Sequence, residues 1–223
     1  MKQQLLQLAM ALTACLSMGS VHAQGYPVVE KTKFGTVSVA ADKSLHFNGK
    51  PIKPDVVGRM GLAIEESWDL GDEVWVLVAN FDGGECPEVH HVITVSAKGA
   101  TASPIIPTCD ELVEAQLINR SLVMLVEGDG AISTHKYVFA QGTLTDNGRV
   151  LPHGLHVRAM INDPDGYTNV RQGPDAKSPI VARVDTSDTF MSAPQRGNWW
   201  KVRLSNNQEG FMHKSRIVFV RDF

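Results

Sequence analysis

An all-β fold is what this sequence predicts, and three observations predict it. Short runs of about four to eight residues, rich in Val, Ile, Thr and aromatic side chains, recur from Phe34 onward. Gly, Asn or Asp closes each run, where the backbone must turn through φ > 0. Only one stretch, Asp110 to Leu117 with Asp110 as a possible N-cap, offers a helical reading. Taken in order, Phe34 to Val39 ends at Ala41-Asp42-Lys43 and Leu45 to Phe47 ends at Asn48-Gly49. Val74 to Ala79 ends at Phe81-Asp82-Gly83-Gly84, and Val89 to Ser96 at Lys98-Gly99. Leu122 to Val126 ends at Gly128-Asp129-Gly130, and Tyr137 to Leu144 at Asp146-Asn147-Gly148. Val113 to Ile118 and Leu122 to Val126 flank Asn119-Arg120-Ser121 as the arms of a hairpin would, so strands are preferred over the helix there. Residues 24–150 are expected to form an antiparallel β domain, sandwich or barrel-like. The apolar pattern weakens around Leu151-Pro152-His153-Gly154, which reads as a connector to a second unit at 155–221.

Composition narrows the classes of function. The 223 residues carry 21 Lys and Arg against 24 Asp and Glu, a net charge of -3. A phosphate-binding surface would have to work against that field, so nucleic acid is not expected as a partner. Met1-Lys2, the apolar run from Leu5 to Ser17 and Val21-His22-Ala23 read as a signal peptide over 1–23, cleaved before Gln24. That apolar run, roughly a dozen residues, is well under the ~20 of a membrane-spanning helix, and no later run comes close. The mature chain is therefore expected in the periplasm or outside the cell, with no integral membrane segment. A rival reading takes Leu12-Thr13-Ala14-Cys15 as a lipoprotein box, with the chain anchored through a lipid on Cys15.

Loss of the leader would leave Cys86 and Cys109 of the 3 cysteines, an even pair that reads as a disulfide in an exported chain. Closing that loop contributes roughly 3 kcal/mol in the chain-entropy description. The competing reading is a reactive thiol or a metal site, since His90 and His91 follow Cys86 closely. Adjacent strand residues point to opposite faces, so only one of the two histidines could join it, and no second cluster completes four ligands.

The second unit has a sequence that can be placed. Asp163-Pro164-Asp165-Gly166-Tyr167-Thr168-Asn169-Val170-Arg171-Gln172-Gly173-Pro174 is followed by Ser178-Pro179-Ile180-Val181-Ala182. Then come Gly197-Asn198-Trp199-Trp200-Lys201-Val202-Arg203 and Glu209-Gly210-Phe211-Met212-His213. These four blocks, in this order, resemble a bacterial SH3-like (SH3b) domain. The departure is at Asp185-Thr186-Ser187-Asp188-Thr189-Phe190, where the family usually carries Gly and a Val or Leu run. The resemblance implies a small β-barrel and a cell-envelope setting, with peptidoglycan, a wall-derived peptide or an envelope protein as partner. The first unit resembles no family that we can place.

Alternation within the strands sorts the side chains of this unit. Val170 should face the core while Asn169 and Arg171 face outward. Trp200 shares parity with Val202 and Leu204 and should be buried, leaving Trp199 more exposed. Tyr167, Asn169, Arg171, Trp199 and Phe211 are thus the candidate binding residues, a mixed apolar and polar shelf. Each also has a purely structural reading, with Asp165 or Glu209 as an ion-pair partner for Arg171.

The sequence holds no recognisable catalytic constellation. His-Glu-x-x-His, Gly-x-Ser-x-Gly and phosphate-cradling Gly loops do not occur. Glu65-Glu66, Glu85 and Glu88 could supply paired carboxylates but read as solvated turn residues. No catalytic residue, metal or cofactor is expected. The reading is of a binding protein, with an inhibitor or immunity protein against a secreted hydrolase as one alternative and a wall hydrolase with an unrecognised site as another.

Overall fold

A computed structural model describes residues 27–81, 86, 88–109, 112–126, 135–155 and 157–220. The expected leader and Cys15 lie outside the described residues. The described chain is all-β, antiparallel throughout its four sheets, with a single 3-10 turn.

The first sheet is a meander of β1 (Val29–Thr32), β2 (Gly35–Val39), β3 (Leu45–Phe47) and β4 (Lys50–Pro51). Asn48 and Gly49 take φ of 49° and 77°, the left-handed pair that a two-residue hairpin loop requires. The second sheet has longer strands: β5 (Gly61–Asp69), β6 (Glu73–Phe81), β7 (Glu88–Ser96) and β8 (Gly99–Ala102). It is the middle of three layers. Val74, Val76 and Val78 on one face of β6 join a core with Val37 and Leu45 of the first sheet. Trp75 and Leu77 on the other face join Leu122, Met124 and Phe139 of the third. Burial on both faces is why Val74 to Ala79 reads as an unbroken apolar run instead of alternating.

The third sheet is β9 (Leu112–Ile118), β10 (Ser121–Val126), β11 (His135–Ala140), β12 (Thr143–Asp146) and β13 (Arg149–Val150). Residues 112–118 are strand, so the hairpin prevails over the helix, and Asn119 and Arg120 turn it at φ of 49° and 59°. The run Tyr137 to Leu144, read as one strand, is two. Gln141 and Gly142, at φ of 50° and 76°, make a further hairpin inside it.

The C-terminal sheet contains β14 (Val157–Ile161), β15 (Tyr167–Arg171), β16 (Ile180–Asp185), β17 (Phe190–Ser192), β18 (Trp199–Leu204), β19 (Glu209–His213) and β20 (Ile217–Phe219). Its strand order is β16-β15-β19-β18-β17-β14-β20, curled into a half-barrel. Val170, Phe190, Trp200, Val202, Met212 and Phe219 fill its inside, with Trp200 stacked on Phe219 at 6.1 Å between centroids. The segment that departs from the SH3b pattern makes a tight turn, where the Asp185 amide donates to Asp188 Oδ2, and it delivers Phe190 to this core.

Cys86 and Cys109 form the disulfide. Both belong to the same apolar cluster as the half-barrel interior, together with Val89 and Ile105. The contact is extended by Arg59, whose Nη1 donates to the Ile217 carbonyl at 2.7 Å, and by Arg196, which pairs with Asp42 and Asp55.

Candidate functional site

The outer face of the half-barrel collects the expected binding residues because strand parity leaves them no other direction. Along β15 the buried positions are Thr168 and Val170, so Tyr167, Asn169 and Arg171 emerge on the opposite side. On β18 Trp200 is 1% exposed and Trp199 is only half-buried, the partition that their adjacency demands. Tyr167, Asn169, Arg171 and Trp199 line one cleft of about 240 Å³. Phe211 does not line it. It lies on β19 beside Arg171 and opposite Lys201, on the same outer face but past the end of the cleft.

Five further residues complete the cleft that the outward-facing pattern did not single out: Asp163, Asp165, Thr168, His213 and Arg216. Asp163 and His213 sit within the motif blocks, so the sequence carried them unassigned. Arg216 comes from the 3-10 turn Lys214–Arg216 and had no sequence signal.

Hydrogen bonds hold the cleft in shape. Asp163 accepts from Thr168 Oγ1 at 2.6 Å, from the Asp165 amide at 3.1 Å and from Arg216 Nη1 at 3.2 Å. The Thr168 hydroxyl is the main cause that holds the Asp163 carboxyl below its ordinary value, with the Asp165 amide and the Arg216 charge adding to it. Arg171 donates through Nη1 to the Ser178 carbonyl at 2.9 Å, so neither Asp165 nor Glu209 is its hydrogen-bond partner. Glu209 is instead bound to Lys201 and Arg203. The Tyr167 ring carries the Arg183 guanidinium on one face at 3.8 Å. Trp199 meets the His213 ring edge-on at 5.5 Å. The result is an apolar patch bordered by an amide, two arginines and two carboxylates, a surface that can pack one apolar group while exchanging several hydrogen bonds.

A larger cavity of about 570 Å³ lies where the N-terminal meanders meet the half-barrel, with Pro54, Asn80, Ile105, Pro194 and Arg203 among its walls. Asn80 donates to the Val57 carbonyl at 3.1 Å, while its Oδ1 is buried without a hydrogen-bond partner. Both halves of the chain build this cavity.

With that geometry in place, the class is an all-β protein whose C-terminal sheet is an SH3-like half-barrel. Residues 166–218 match the family model of the bacterial SH3 domain, which runs from the start of β15 into β20. In its C-terminal half the chain therefore resembles that family in sequence as well as in fold. No curated protein and no solved structure matches the chain.

Proposed function

We propose that this chain is an exported, non-catalytic binding protein of a bacterial cell envelope. Its SH3-like domain holds peptidoglycan or a wall-derived peptide in the cleft of Tyr167, Asn169, Arg171 and Trp199, with Phe211 extending the contact beyond it. The observation that carries this reading is the half-buried Trp199 indole, set beside hydrogen-bonding groups on the outside of an otherwise filled half-barrel. The match to the bacterial SH3 domain supports a wall component as the ligand. The Cys86–Cys109 disulfide supports an oxidising compartment. Among the described residues no helix is long and apolar enough to cross a membrane.

Co-sedimentation of the mature protein with purified peptidoglycan tests the proposal. Wild type should pellet with the polymer, and Trp199→Ala should lose most of that retention while keeping its far-ultraviolet circular dichroism and melting temperature. Full retention in the variant overturns the cleft as the binding site. Release of soluble muropeptides, with or without added divalent metal, overturns the non-catalytic reading. Indifference to peptidoglycan together with copurification of an envelope protein moves the ligand class to protein, as an inhibitor would require.

A further inference from the structure

A buried histidine outside the cleft has two carboxylates converging on one of its ring nitrogens. His90, on β7, is fully buried. Its Nδ1 lies 2.9 Å from Thr108 Oγ1, and its Nε2 lies 3.0 Å from Glu65 Oε2 and 3.1 Å from Glu88 Oε1. The Thr108 hydroxyl has one proton, which it donates to the Glu88 carbonyl at 3.1 Å. Toward His90 it can only accept, so Nδ1 carries the hydrogen. In the neutral ring Nε2 is then a bare lone pair facing two carboxylate oxygens, three electron-rich atoms converging with nothing between them.

The fold builds this convergence deliberately. Glu88 is two residues before His90 on β7 and so shares its face. Glu65 comes from β5, on the far side of β6, where the register slips between Ile64 and Glu66. The extra residue at that bulge is Glu65, and a bulge re-aims the side chain that it carries. The intervening β6 residue in register with His90 is Ala79, too small to obstruct the reach. Among the described residues, the ion pairs of Glu65 and Glu88 run to His90 alone.

We propose that Glu65, Glu88 and His90 form a binding site for a divalent transition-metal cation of the Zn2+ class. Two donors each about 2.0 to 2.2 Å from one tetrahedral ion stand about 3.4 Å apart, so the 3.0 and 3.1 Å separations seen here need open by only a few tenths of an ångström to admit one. All three ligand atoms lie within 4.8 Å of one another. An imidazole nitrogen selects Zn2+ and its neighbours over Mg2+ and Ca2+. Thr108 supplies the outer hydrogen bond that a ligating histidine characteristically makes through its second nitrogen. The two carboxylates are 32% and 25% exposed, so an ion has an entry path and keeps water on its open side. One proton on Nε2 would leave the cluster at a net charge of -1, whereas a divalent ion neutralises it. The site is independent of whatever the half-barrel cleft binds.

Calorimetric titration of the EDTA-treated mature protein with zinc chloride is the test. Wild type should bind one Zn2+ per chain, undisturbed by a hundredfold excess of magnesium. Glu65→Gln and Glu88→Gln should each weaken binding at least tenfold, and Thr108→Val should weaken it about tenfold through the lost outer hydrogen bond. Nitrogen-15 NMR of the wild type gives a readout that needs no variant: zinc should shift the Nε2 resonance of His90 while Nδ1 stays protonated. Absence of one-to-one binding by wild type, an unmoved Nε2 resonance, or equal affinity in Glu65→Gln and Glu88→Gln overturns the proposal. An Nε2 that stays protonated in the presence of zinc shows that a proton alone fills the place, and it also overturns the proposal.

Discussion

Gly210 of β19 packs directly against β15. A Cβ built there would stand 2.5 Å from Val170 Cγ1 and 2.7 Å from the Arg171 carbonyl oxygen, and the backbone atom cannot swing aside. Gly210→Ala should therefore destabilise the half-barrel by roughly 1–3 kcal/mol through overpacking, read as a lower urea midpoint. Trp75 offers the opposite case. It is 1% exposed, meets Phe139 edge-on at 5.0 Å, and donates its indole N–H to Glu73 at 3.0 Å. Trp75→Ala removes the central filler between the second and third sheets and should cost about 3–5 kcal/mol in the same assay. The residue scale was also the most legible in the sequence. The inward Trp200 and outward Trp199 follow from parity alone, as do Tyr167, Asn169 and Arg171. Arg216 was not legible, because nothing local says that the turn after β19 comes back over β15.

At the scale of elements, Asp163 ties the loop before β15 both to Thr168 on that strand and to Arg216 on the 3-10 turn. Its folded pKa is depressed, so the stability that it contributes is present above its unfolded value and is lost as pH falls through the lower folded one. The difference in melting temperature between wild type and Asp163→Asn should be largest near neutral pH and close at the acid end. A gap that is constant down to full carboxylate protonation would refute this account of the loop. The elements missed in the sequence were missed for physical reasons. β5 was not read as a strand because Glu65-Glu66-Ser67 interrupts its alternation, and the bulge at Glu65 is the cause. That same bulge turns Glu65 onto His90, so the irregularity that hid the strand made the cluster. The split of Tyr137 to Leu144 escaped because Gln141 is an uncommon residue at a left-handed turn position.

For the whole molecule, the disulfide matters beyond the loop that it closes. Cys86 and Cys109 share an apolar cluster with Val157, Phe190 and Phe219 of the half-barrel, so the N-terminal meanders and the C-terminal sheet bury part of the same core. Reduction, or paired substitution by serine, should lower the stability of both parts together, by roughly 3 kcal/mol from loop closure alone. Fluorescence and far-ultraviolet circular dichroism should then report one common shift in the denaturation midpoint, and an unaffected half-barrel transition would show the two parts to be uncoupled. Assigning Cys15 to the expected leader leaves Cys86 and Cys109 as a pair, which made the bridge legible in the sequence. Its place against the half-barrel and the junction cavity around Asn80 depend on how separate sheets stack, and the meeting of Glu65 with His90 depends on a bulge two strands away in one sheet, none of which a local pattern encodes. The central claim is that the outer cleft of the SH3-like sheet receives the ligand. Backbone amide NMR of the mature protein, titrated with soluble peptidoglycan fragments, tests it most directly. Shifts should concentrate at residues 163–171, Trp199, His213 and Arg216. Shifts confined to the junction cavity or to the N-terminal meanders, or no shifts at saturating fragment, would contradict it.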